Sequence, residues 1–154
     1  MKSNKTILIV EDTDEDFEAC VIALTQDDNL VHPIQRCETG DEALDYLYCR
    51  GSFTERTPEA PSLVLLDLNL PGTDGREVLS LIKADARLKL LPVVVMTSSS
   101  DPADIDDCYR QGANSYVVKP VRYDAFISAI TLLRDYWFDL ARLPRTDRAY
   151  IGKS

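Results

Sequence analysis

The chain has 154 residues, enough for one domain with a full core and too few for two comfortable ones. Hydrophobic residues make up 45%, which excludes a disordered chain, and no apolar run approaches the length of a membrane span. The net charge of -9 argues against direct contact with nucleic acid and favours a cation or a basic partner surface.

The first residues, MKSNK, lead straight into a short apolar run, without the long apolar region and small-residue cleavage site of a signal peptide. A cytoplasmic location is the expectation. Cys20, Cys37, Cys49 and Cys108 are scattered, with no C-x-x-C pair and no partner near His32, so they are expected to be reduced, packing cysteines.

Residues 6–10, TILIV, form a short apolar run that ends in Glu11 and Asp12, as a buried strand capped by carboxylates. Residues 14–26 carry Phe17, Val21 and Leu24 at helical spacing. Residues 33–37 alternate and predict an edge-type strand; Thr39-Gly40-Asp41 then opens a helix bearing Ala43, Leu44, Leu47 and Tyr48. A polar loop over residues 51–61 leads to the apolar run Leu63-Val64-Leu65-Leu66, which predicts a strand buried on both faces and ends on Asp67. Val78, Leu79 and Ile82 give a helix to about Arg87. Residues 91–96, LPVVVM, predict a fourth buried strand with Thr97 at its end. Asp101-Pro102 starts a helix that stops at Gly112, Asp being a good N-cap and Pro tolerated in the first turn. A fifth strand over residues 115–118 ends in Lys119-Pro120, and a last long helix runs from Tyr123 to about Leu143.

Five strands alternating with five helices predict an α/β domain over residues 1–143, with a tail over 144–154. Right-handed crossovers favour a flavodoxin-like, doubly wound parallel sheet of strand order 2-1-3-4-5. Sites in such sheets lie at the carboxyl ends of the strands. That rule gathers Glu11, Asp12, Asp67, Thr97 and Lys119 at one edge. Asp67, Asn69 and Gly72 also match three positions of an EF-hand loop, but Pro71 and Val78 stand where that loop needs ligands.

Three carboxylates at about 4 Å repel by roughly 4 kcal/mol per pair at an effective dielectric near 20. One lysine offsets only part of that. An oxygen-only site of this kind suits Mg²⁺, with Mn²⁺ as a substitute. With Glu11 and Asp12 holding the metal, Asp67 can attack phosphorus and form an aspartyl phosphate. The cation and Lys119 would neutralise the phosphoryl oxygens, Thr97 would donate a hydrogen bond to one, and the Asn69 carbonyl is a further candidate ligand.

The set Glu11-Asp12, LLDLNLPGTDG around Asp67, VVVMTSSS around Thr97 and YVVKP over residues 116–120 resembles the receiver domain of two-component response regulators. The resemblance covers about residues 6–140. It implies Asp67 as phosphoacceptor; Glu11, Asp12, Asp67 and Asn69 at Mg²⁺; and Thr97 and Lys119 as phosphate contacts. It further implies Tyr116 as the aromatic that rotates inward when Thr97 moves, Asn69 and Ser99 as positions tuning hydrolysis, and a cis bond before Pro120. The long loop before the third strand and the ending RDYWFDLARLP are similar to the small response regulators paired with cyanobacterial bacteriophytochromes. This implies a histidine kinase donor, phytochrome by type. The remaining residues are too few for an output domain, so output is expected through protein contact or phosphate relay.

In the last helix, Phe126, Ile130, Leu133, Trp137 and Leu140 make one stripe fit for the sheet. Tyr136 and Phe138 flank Trp137 and cannot all share that face. Either the helix end is buried on most sides, or Tyr136, Trp137 and Phe138 mark a partner surface, with a homodimer through this helix as the expectation. Arg145, Arg148 and Lys153 put positive charge on the tail, which reads as a solvated end or as a docking arm for an acidic kinase surface. Two other readings compete. A Mg²⁺-dependent phosphohydrolase would want an acid where Asn69 stands. A non-phosphorylated interaction module would have no use for the charge repulsion.

Overall fold

The computed structural model describes residues 6–26 and 32–144. The tail residues Arg145, Arg148 and Lys153 lie outside them. Strands β1 (Ile7–Val10), β2 (Ile34–Cys37), β3 (Leu63–Leu66), β4 (Val93–Thr97) and β5 (Ser115–Val118) form one parallel sheet in the order β2-β1-β3-β4-β5. Helices α1 (Asp14–Thr25), α2 (Gly40–Tyr48), α3 (Gly75–Ala84) and α4 (Pro102–Gln111) make the crossovers, and α5 (Tyr123–Arg134) follows the last strand. This is the expected flavodoxin-like architecture.

The period-2 alternation of the strands splits the core into two layers. Leu8, Val10, Val64, Leu66, Val93 and Val95 face α2, α3 and α4, where Leu47, Leu79 and Ile82 meet them. Ile7, Ile9, Leu63, Leu65, Val94 and Met96 face α1 and α5, against Leu24, Phe126 and Ile130. The three central strands therefore read as unbroken apolar runs, because both faces are covered. Cys20, Cys37 and Cys108 are buried in these layers as free thiols.

The helix ends follow local chemistry. Thr39 Oγ1 accepts from the Glu42 N–H at 3.0 Å and caps α2. Asp101 accepts from the Ala103 N–H at 2.9 Å, with Pro102 opening α4. Gly112, at φ 104°, ends α4 in the left-handed conformation that glycine adopts without cost. Gly75 opens α3 directly over the site: a Cβ there would overlap the Asp67 carbonyl oxygen and the Leu68 backbone.

Two expectations about the last helix are corrected. It does not run to Leu143 as an α-helix; after Arg134 it widens into a π-helical segment, Asp135–Leu140. The wider i→i+5 turn changes which side chains face inward. Trp137 and Phe138 both pack on the α1/α5 layer, and the Phe138 ring lies 4.6 Å from that of His32. Leu140, predicted inside, is 75% exposed, whereas Tyr136 (51%) and Leu132 (71%) are exposed beside it. Of the three aromatics assigned to a partner surface, Tyr136 is exposed, and Trp137 and Phe138 are half-buried. Among the described residues no helix is long and apolar enough to cross a membrane.

Candidate functional site

The carboxyl edge of the sheet brings the predicted residues together. Glu11 leaves β1, buried, and accepts from the Thr13 N–H at 3.2 Å. Asp67 leaves β3, also buried, and accepts from the Asn69 N–H at 3.1 Å. Thr97 ends β4 with no exposure at all, and the Asn69 side-chain amide reaches its hydroxyl at 3.4 Å. Asp12 is exposed, at the rim.

Lys119 follows β5. Its N–H donates to the Thr97 carbonyl at 2.7 Å, which extends the sheet ladder by one rung and aims the side chain across the edge. The ammonium then meets Glu11 Oε1 at 2.7 Å, Asp67 Oδ2 at 2.8 Å and Asp16 Oδ2 at 2.8 Å. This inward aim does not need the cis bond expected before Pro120. No cis peptide occurs among the described residues, so that bond is trans, the form an X-Pro bond prefers when nothing selects the other.

Asp16 was not anticipated. It lies in the first turn of α1, whereas Asp12 precedes the helix, so no helix-face spacing in the sequence links the two.

The electrostatics are those of a cation-hungry pocket. Burial drives the Glu11 carboxyl up to about 7; Lys119 opposes this and the neighbouring Asp67 charge adds to it. Burial also works against the Lys119 ammonium, but its hydrogen bonds to Asp16, Asp67 and Glu11 together outweigh that and hold it above the ordinary lysine value. Glu11, Asp12 and Asp67 each offer a carboxylate oxygen, and these atoms lie within 4.8 Å of one another. An all-oxygen donor set that close fits a hard divalent cation.

The remaining predicted residues sit one layer out. Tyr116 is half-buried; its phenol donates to the Ser99 carbonyl at 2.9 Å, and its N–H donates to the Tyr109 hydroxyl at 3.1 Å. The Ser99 hydroxyl donates to Asp104 Oδ2 at 2.7 Å, so it is engaged with α4 rather than with Asp67. Arg76 of α3 binds the same Asp104 carboxylate, with Nε 3.0 Å from Oδ1, and also Asp74, the cap of its own helix.

The model of the response regulator receiver domain matches residues 7–131. The chain belongs to that family. Response regulator Rcp1 of Synechocystis sp. is 34% identical over 91% of this chain and 93% of its own. The crystal structure of phosphorylated RcpA, a cyanobacterial phytochrome response regulator, shares 35% identity and superposes with a TM-score of 0.86 over 92% of this chain and 99% of its own. The Mn²⁺-bound form of Rcp1 is similar at 32% identity and a TM-score of 0.85, covering 91% of this chain and 99% of its own.

Proposed function

We propose that this receiver takes a phosphoryl group from a histidine kinase, phytochrome by type, on Asp67, with Mg²⁺ held by Glu11, Asp12, Asp67 and the Asn69 carbonyl. The observation that carries the reading is the Lys119 ammonium fixed on Asp67 Oδ2 at 2.8 Å, beside the Thr97 hydroxyl, in a pocket of clustered carboxylates. A carboxylate oxygen of Asp67 attacks phosphorus; a P–O bond forms and the P–N bond of the phosphohistidine breaks. The electron pair of that bond stays on the imidazole, which takes up a proton. Lys119 and Thr97 place donors on the phosphoryl oxygens, and a bound divalent cation supplies further positive charge there.

The added charge of about -1.5 to -2 biases the loop that joins Thr97 to Ser99 and, through it, Tyr116. Output is by protein contact. The surface that supports a homodimer is the exposed row Leu132, Tyr136 and Leu140. Both the relatives of phytochrome type and the acidic pocket support this reading.

The test is phosphate uptake from acetyl phosphate, with and without Mg²⁺, in the wild type and in Asp67→Asn. Cation-dependent labelling confined to the wild type is the expected result; acid-labile phosphate on Asp67→Asn defeats the assignment. Sedimentation at tens of micromolar, with Tyr136→Asp beside the wild type, tests the dimer, and a monomeric wild type removes it.

A further inference from the structure

An ammonium has three protons, and Lys119 gives each to a different carboxylate: Glu11, Asp67 and Asp16. Two of the three are also members of the candidate cation pocket, and Asp16 is not. The side chains of Glu11 and Asp67 are 5% and 8% exposed, whereas that of Asp16 is 27% exposed. Asp16 therefore stands at the outer edge of the cluster, on α1, with Lys119 between it and the pocket. Lys119 is the one hydrogen-bond partner of its carboxylate among the described residues.

A cation and the ammonium draw on the same two carboxylates, those of Glu11 and Asp67. Were these the only anions in reach, binding the cation would strand a half-buried ammonium without a counter-charge, which is costly. We propose that Asp16 is a positioning residue that retains Lys119 when a divalent cation claims Glu11 and Asp67. The ammonium then keeps one carboxylate partner outside the metal's ligand set. The two protons then released are those that faced Glu11 and Asp67, and the second is on the side where phosphoryl oxygens would arrive. The proposal rests on the cation site described under the proposed function.

Simpler explanations for an aspartate here are a favourable place near the α1 N-terminus and a general negative field. Glu15 shares both, since it sits in the same first turn, and it is exposed. The experiment measures Mn²⁺ affinity of the unphosphorylated full chain, from the free-ion paramagnetic resonance signal. It uses the wild type, Asp16→Asn and Glu15→Gln, each with Lys119 present and with Lys119→Met. Asp16→Asn is expected to weaken binding about fivefold, with Glu15→Gln below about twofold. In the Lys119→Met background the two substitutions are expected to become equivalent. Equal effects with Lys119 present, or a large Asp16 effect that survives Lys119→Met, overturn the proposal and leave the cation site intact. A wild type that binds no Mn²⁺ overturns both.

Discussion

The phenol of Tyr116 donates to the main-chain carbonyl of Ser99 at 2.9 Å, tying β5 to the loop that follows β4. That loop follows Thr97, the last residue of β4, so the bond holds the backbone two residues beyond the hydroxyl of the site. Tyr116→Phe is expected to lower the stability of the unphosphorylated protein by about 1 kcal/mol in urea unfolding. An unchanged midpoint would show that water replaces the bond fully.

The same loop is held from the other side. Ser99 donates to Asp104, and Arg76 grips Asp104 while also binding Asp74, so one guanidinium joins the cap of α3 to the first turn of α4. Arg76→Ala is expected to speed amide hydrogen exchange over residues 98–101 while the central strands keep their protection. Exchange unchanged in the loop would mean that Tyr116 alone holds it.

Lys119 is the single cation bonded within a group of three carboxylates. Lys119→Met removes the counter-charge from this cluster and is expected to destabilise the metal-free protein by about 3 kcal/mol. Millimolar Mg²⁺ should return most of that loss, more than it stabilises the wild type. The comparison of thermal midpoints with and without Mg²⁺ reads it directly.

Glu11 sets the pH dependence. Its folded-state value of about 7 lies above the ordinary 4.5, so between these values the folded protein holds a proton that the unfolded chain has lost. The contribution is complete below about 4.5 and is lost as pH rises through 7. Metal-free protein should therefore lose stability across that window, and Glu11→Gln should flatten the curve. Parallel curves for the two proteins would rule this out.

Gly75 tests how tightly the site is built. A methyl group there meets the Asp67 carbonyl oxygen and the Leu68 backbone, which cannot swing aside as a flexible side chain would. Gly75→Ala is expected to cost about 3 kcal/mol and to shift the Asp67 loop. A near-neutral substitution, measured by urea unfolding, would show that α3 can slide along the sheet.

The parts of the molecule that were legible in the sequence are those governed by short-range patterns. Apolar runs ending in Glu11, Asp67 and Thr97 placed the strands, and the strand-end rule alone put these residues on one edge. Asp16 escaped because it lies within a helix, and a helical carboxylate reads as surface unless the topology has already placed Lys119 opposite it. The reversal at the end of α5 was invisible for another reason. The stripe of Phe126, Ile130, Leu133, Trp137 and Leu140 presumes an unbroken α-helical period, and no residue in RDYWFDL announces a change to a wider turn. The geometry of the bond before Pro120 came only from family likeness, and the hydrogen bond from the Lys119 N–H to Thr97 aims the lysine without it.

The core thiols bear on what this protein can sense. Burial pushes the Cys20 thiol up to about 12, and burial raises Cys37 and Cys108 as well. Oxidants and disulfides react through thiolate, which these three positions do not supply at neutral pH. Cys20 lies in the α1 layer; burial is the main cause there, Glu11 and Asp16 raise the thiol further, and Lys119 works against them. The three buried cysteines thus give an oxidant no thiolate to attack at neutral pH.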